Sequence, residues 1–134
     1  MDTGVVAYLL QADVDSLLRP GGLFGPLLEE FVQMELARQL TWSNTRAELY
    51  HYRTKDKVEV DAVLENPRGQ VIAIEVKAAT AVKDEDFRGL RHLASRLGED
   101  FLAGYVLYTG TNTLSFGSKL RAMPVSALWQ LGGA

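Results

Sequence analysis

A chain of 134 residues, 47% hydrophobic and 23% charged, has the length of one compact domain and the composition of an ordinary globular protein, able to bury about two thirds of its unfolded surface in a single core. The absence of cysteine excludes disulfides, thiolate metal sites and cysteine nucleophiles, and no apolar run reaches the roughly 18 residues that span a bilayer, so a membrane role is not expected. A net charge of −3 excludes a grip on nucleic acid over the whole surface, and any polyanion site must be local.

The opening MDTGVVAYLL lacks the basic stretch and cleavage signal of a signal peptide, and with the missing cysteines it points to the cytoplasm. Residues 1–24 read as a lead-in that ends in the break RPGGLFGP, and 1–134 as a single domain. Leu27, Leu28, Phe31, Val32, Met34, Leu36 and Leu40 recur at roughly helical spacing, which predicts a helix over 25–40 with Pro26 in its first turn and Trp42 as a candidate cap. AELYHYRT, residues 47–54, has the aromatic enrichment of a strand and is followed by a charged turn, KDK.

Two further strands follow. In the first, Val58, Val60, Ala62 and Leu64 alternate with Glu59, Asp61, Val63 and Glu65; in the second, Ile72, Ile74, Val76 and Ala78 alternate with Val71, Ala73, Glu75 and Lys77. PRG at 67–69 suits a three-residue hairpin loop, a type I turn closed by Gly69 in the left-handed region. With that loop Asn66 faces Gln70, and counting back along both strands puts Asp61 opposite Glu75.

A second amphipathic helix is expected over 84–97, with Phe87, Leu90, Leu93, Ala94 and Leu97 as its stripe, Asp84, Glu85 and Asp86 at its positive end, and Gly98 beyond it. On this helix His92 reads as an exposed residue rather than a general base. FLAGYVLYTG, residues 101–110, is apolar enough for a strand covered on both faces. The tail MPVSALWQL reads as a short helical turn opened by Pro124, with Trp129 in the core or an interface. The expected fold class is α/β, a mixed central sheet flanked by helices in the order αβββαβ.

Two carboxylates opposite each other on neighbouring strands repel, by up to about 1 kcal/mol when partly solvated and more when buried. A divalent cation reverses that sign, and Mg²⁺ (or Mn²⁺) favours one or two carboxylates with waters and phosphate oxygens completing the octahedron. Lys77, two residues beyond Glu75 on the same face, could hold a phosphate oxygen, orient an attacking water or stabilise developing charge. Spacing alone equally allows a cross-strand salt-bridge cluster on a solvated face. E-x-K by itself is a weak signal.

The succession of helix, strand, strand with Asp in VEVDAVLE, strand with Glu-x-Lys in IAIEVKAAT, helix and strand resembles the core of the PD-(D/E)XK nuclease superfamily. The stretches DTGVVAYLL, GPLLEEFVQMEL, YHYRTKDKVEVDAVLE, IAIEVKAA, FRGLRHLA and MPVSALW are more specifically similar to a domain of unknown function that lies C-terminal to AAA+-type ATPase modules in many prokaryotic proteins. The resemblance covers nearly the whole chain. It implies a restriction-endonuclease-like core and a metal-dependent nuclease acting on DNA, with Asp61, Glu75 and Lys77 catalytic. In the superfamily a glutamate of the first helix often completes the metal site; the G-x-x-x-E pattern from Gly25 carries this to Glu29, and Glu35 in MEL is the second choice. Read without the resemblance, Glu29 is a first-turn glutamate favoured by the helix dipole and Glu35 an exposed helix position. Val60 stands where the superfamily motif has proline.

Nucleic-acid contacts are expected from Arg53, Lys83, Arg88 and Arg91; Arg88 and Arg91, three apart on a helix, could meet a phosphate backbone or simply pair with residues 84–86. Two functions follow: a Mg²⁺-dependent nuclease-like enzyme, or a catalytically inactive module that docks nucleic acid or protein beside an ATPase in cis or in trans. No G-x-x-x-x-G-K-[ST] loop is present, so the ATPase itself would be elsewhere; with DTGVVAYLL so close to Met1, the chain reads as a fragment or truncated relative of an ATPase-containing protein.

Overall fold

The computed structural model of the protein describes residues 24–42 and 46–128. The first helix, α1, runs over Phe24–Trp42, slightly longer than the periodicity implies. It turns Leu28, Phe31, Val32 and Leu36 inward, and Gln39 near its C-terminal end donates to the Leu128 carbonyl at 2.8 Å. Residues 1–23 and Trp129 lie outside the described residues.

Six strands form one mixed sheet: β1 (Glu48–Arg53), β2 (Glu59–Glu65), β3 (Val71–Lys77), β4 (Phe101–Tyr108), β5 (Leu114–Ser115) and β6 (Leu120–Pro124). The spatial order is β1-β2-β3-β4-β6-β5. The first three form an antiparallel meander, β3, β4 and β6 run parallel, and β5 returns antiparallel to β6. A second helix, α2 (Arg88–Leu97), connects β3 to β4. Among the described residues the fold is therefore α/β, a mixed sheet with two α-helices packed on it, as expected at that level.

The β2–β3 hairpin closes as the loop sequence implies. The Asn66 amide donates to the Gln70 carbonyl at 3.0 Å, and Gly69 adopts φ 79°, where a Cβ is disfavoured. The Asn66 side chain accepts from the amides of Arg68 and Gln70, a local bond that fixes the turn. Pairing then runs from Glu65 with Val71 to Ala62 with Ile74.

The simple alternation of β2 does not hold. Tyr50 pairs with Val63 but Tyr52 with Val60, so Asp61 and Ala62 together oppose His51 alone. This bulge turns the chain over. Val60 and Val63 share the cluster formed with Val71, Ala73, Phe87, Leu90 and Leu93 under α2. Ala62 joins Ile74, Leu107, Val32 and Leu36 under α1. The two helices cover opposite faces, and β3 is covered on both.

Three other expectations are corrected. The second helix does not begin at 84: Asp84–Phe87 is a 3₁₀ turn, wound tighter because the Asp86 amide donates to the Lys83 carbonyl and its carboxylate accepts the Lys83 amide. Met123 and Pro124 end strand β6, so the helical turn expected of the tail begins after them, with Ala127 and Leu128 helical; Pro124, with no amide to give to a ladder, stands at the strand terminus. In β4, Leu102 is 44% exposed, so that strand is not covered throughout.

Candidate functional site

The bulge decides where Asp61 goes. Beyond Ala62 and Ile74 the two strands no longer pair through their backbones, and the Asp61 side chain bridges them instead: its Oδ2 accepts the Val76 amide at 2.7 Å. The Asp61 carbonyl accepts from the Gln33 side chain of α1. Asp61 is thus fixed from β3 and from α1, one oxygen committed to Val76.

Glu75 lies one step beyond the last paired residue of β3, where the hairpin register places it beside Asp61. Its Oε1 is buried and has no hydrogen-bond partner among the described residues. Burial first, and the charge of Asp61 second, push its carboxyl up to about 8, because each disfavours the anion. Glu29 comes from the second turn of α1, whose first turn holds no acidic residue, so Glu29 is not the first-turn glutamate that the sequence suggested. Its carboxyl is raised as well, by burial, then by the charge of Asp61 and a hydrogen bond to it. Three carboxylates therefore interact through Asp61. Among the described residues, however, no three Asp, Glu or His side chains stand together as a ready-made metal ligand set.

Lys77 follows on the same face of β3 and is half-buried. Its ammonium meets Asp86 Oδ2 at 2.6 Å. Burial alone would raise the Asp86 carboxyl, but the bonds from Lys77 and from the Lys83 amide outweigh it and hold the carboxyl below the usual range. A cleft of about 320 Å³ reaches two of these groups, Glu75 and Asp86, and is otherwise lined by Lys57, Val58, Glu59, Glu85, Arg88 and Gly89; Asp61, Glu29 and Lys77 are not part of its lining. Gly89 sets its depth: a Cβ there would stand 2.5 Å from the Glu59 carbonyl oxygen, so only glycine lets the first turn of α2 rest directly on the start of β2.

Other expected residues lie elsewhere or are occupied. Glu35 is 2% exposed, not an exposed helix residue; Arg38 reaches it at 2.5 Å, and that hydrogen bond leads the interactions that keep its carboxyl below the usual range. Arg53 is paired with Glu59 at 2.5 Å. Arg91 is paired with Asp84 at 2.7 Å, donates to the Phe116 carbonyl at 3.0 Å and lies over the Phe87 ring. Arg88 lines the cleft, and Lys83 is exposed at the start of the 3₁₀ turn. His92 is not an exposed residue: its Nε2 is buried, with no hydrogen-bond partner among the described residues, and its ring lies 6.3 Å from that of Tyr52.

Sequence reasoning passed over Asp86 and Lys57. In sequence, DED reads only as acid at a helix start; Lys57 sits in the KDK turn at φ 64°, which no pattern of residue types announces.

Residues 24–128 match the family described as a domain of unknown function (DUF4143), and the chain belongs to that family. No curated protein matches the chain.

Proposed function

We propose that this DUF4143 member is a divalent-metal-dependent, nuclease-like domain of the PD-(D/E)XK kind that hydrolyses phosphodiester bonds in DNA. The observation that carries the reading is the buried, partnerless Oε1 of Glu75 beside Asp61. An orphaned carboxylate oxygen in a half-buried site costs about 1–3 kcal/mol or more, and a cation is the ligand that would satisfy it while removing the repulsion from Asp61. The order α1, β1, β2, β3, α2, β4, with Glu75 and Lys77 at the carboxyl end of β3, supports the restriction-endonuclease-like comparison.

Asp61, Glu75 and Glu29 would hold Mg²⁺ or Mn²⁺, which when bound supplies charge neutralisation at the phosphate and a more acidic water. The donor chemistry fits, since all three are hard oxygen ligands. Asp61 Oδ2 is committed to the Val76 amide, and the carboxylate is also hydrogen-bonded with Glu29 and Glu75, contacts that a bound cation would replace. Lys77 orients the attacking water and stabilises the charge that develops on the phosphate oxygens. As water adds to phosphorus, one P–O ester bond breaks and its oxygen leaves as a hydroxyl after accepting a proton. On this reading the protein acts in the cytoplasm, on DNA, in association with an AAA+-type ATPase in cis or in trans.

A second reading, a catalytically inactive docking module beside such an ATPase, is favoured by the engagement of Lys77 with Asp86. The two are separated by incubating plasmid and single-stranded DNA with the protein in Mg²⁺ or Mn²⁺. Cleavage that disappears in Asp61→Ala and Lys77→Ala supports the enzyme; DNA binding with no cleavage in the unaltered protein supports the module and contradicts the nuclease.

A further inference from the structure

We propose that Lys57 and Arg88 form a two-point phosphate clamp at the mouth of the cleft, engaging the nucleic-acid backbone in place of Arg53 and Arg91. The inference rests on the reading of the site as one that handles phosphodiesters. Both residues line the same cleft as Glu75. Neither makes an ion pair among the described residues, whereas Arg53, Lys77 and Arg91 are each held by a carboxylate. Within the cleft, Glu59 and Asp86 are the carboxylates so engaged. Two cations that leave the neighbouring Glu85 unused are free to meet a ligand's anionic oxygens without first breaking an internal pair.

The backbone at Lys57 adds an independent reason. Its φ of 64° is in the left-handed region, which disfavours any residue with a Cβ and suits Gly or Asn. Thr54 ties the turn on both sides: the Thr54 amide donates to the Val58 carbonyl at 2.9 Å, the Lys57 amide to the Thr54 carbonyl at 3.1 Å, and the Val58 amide to Thr54 Oγ1 at 3.1 Å. None of these bonds uses the Lys57 side chain. The turn would close as well around glycine, so the local geometry does not account for a lysine there. Held strain of this kind is common where a side chain must be presented in one direction. Arg88 lines the same cleft from a different element, as the first residue of α2.

The test is fluorescence anisotropy of a short DNA duplex in Mg²⁺ over a series of salt concentrations, on a Lys77→Ala background that suppresses turnover. Lys57→Gly and Lys57→Asn, both compatible with the turn, and Arg88→Gln should each weaken binding and reduce the magnitude of the log K against log salt slope by about 1, one phosphate contact each. The double variant should lose about 2. Thermal midpoints of the Lys57 variants should hold or rise, which separates loss of a contact from loss of fold. Arg53→Gln and Arg91→Gln should leave the slope unchanged. Duplex binding with an unchanged slope in Lys57→Gly, Lys57→Asn and Arg88→Gln overturns the clamp while leaving the nuclease reading standing. No binding of duplex by the Lys77→Ala protein, together with no cleavage by the unaltered protein, overturns both.

Discussion

The Lys77 ammonium and the Asp86 carboxylate meet at 2.6 Å across the gap between β3 and the 3₁₀ turn, and the same Asp86 oxygen accepts the Lys83 amide at 2.7 Å. One carboxylate thus both holds the candidate catalytic lysine and shapes the entrance to α2. Asp86→Ala should lower stability by about 1–3 kcal/mol, since a half-buried ammonium and an amide each lose a partner. In a double-mutant cycle with Lys77→Met, measured by urea unfolding, the two substitutions should couple by about 0.5–3 kcal/mol. Strict additivity would show that the pair contributes nothing to the fold.

Lys77→Ala should reduce cleavage about 10²–10⁴-fold, as expected of a group that assists proton handling or charge development. Metal affinity should stay within a few fold, because Lys77 is not a ligand. Titration of the variant with Mn²⁺ alongside single-turnover cleavage reads both quantities.

Metal-free stability should fall as pH rises. Glu75 has its carboxyl raised from 4.5 to about 8 in the fold, so the folded state holds the proton more tightly than the unfolded chain does, and the associated stabilisation is present below the lower value and lost as pH climbs through the higher one. The raised Glu29 carboxyl acts in the same direction. Unfolding free energies from urea titrations should decline from about pH 4.5 to about pH 8 by an amount on the order of a few kcal/mol. Glu75→Gln should flatten the decline.

The hairpin was legible because a three-residue loop with Gly69 at its left-handed position leaves a single register, and that register brings Asp61 to Glu75. The bulge was not legible: counting by twos assumes an unbroken pleat, and nothing in VEVDAVLE says that Asp61 and Ala62 share one partner, His51. Strand β5 has two residues and β6 five, too short for alternation to rise above the turns around them. Glu35 could have been read correctly, since Arg38 stands at the i+3 position that pairs on a helix and both neighbours, Met34 and Leu36, are apolar. Asp86 could not have been paired with Lys77, because contact between a strand end and a later turn is a tertiary fact.

Arg38→Ala should strand the Glu35 carboxylate, 2% exposed, leaving it, among the described residues, Gln39 at 3.3 Å. The expected cost is about 1–3 kcal/mol, with Glu35→Gln in the same background recovering part of it. Thermal or urea unfolding of the single and double variants checks this, with no change in metal affinity expected.

Gly89→Ala should separate α2 from β2, because the new methyl would meet the Glu59 carbonyl oxygen at 2.5 Å. Overpacking of this kind costs about 1–3 kcal/mol, and here it should also widen the cleft. A drop in the unfolding midpoint together with weaker DNA binding is the expected pair of results.

The central claim is that Asp61 and Glu75 share a divalent cation. Calorimetric titration with Mn²⁺ at neutral pH, repeated in two buffers of different ionisation enthalpy, tests it most directly. The account predicts one bound ion and the release of close to one proton, since the Glu75 carboxyl must ionise to become a ligand. It also predicts loss of binding in Asp61→Asn and binding without proton release in no buffer. Absence of a binding isotherm in the unaltered protein, or an isotherm unchanged by Asp61→Asn, would contradict it.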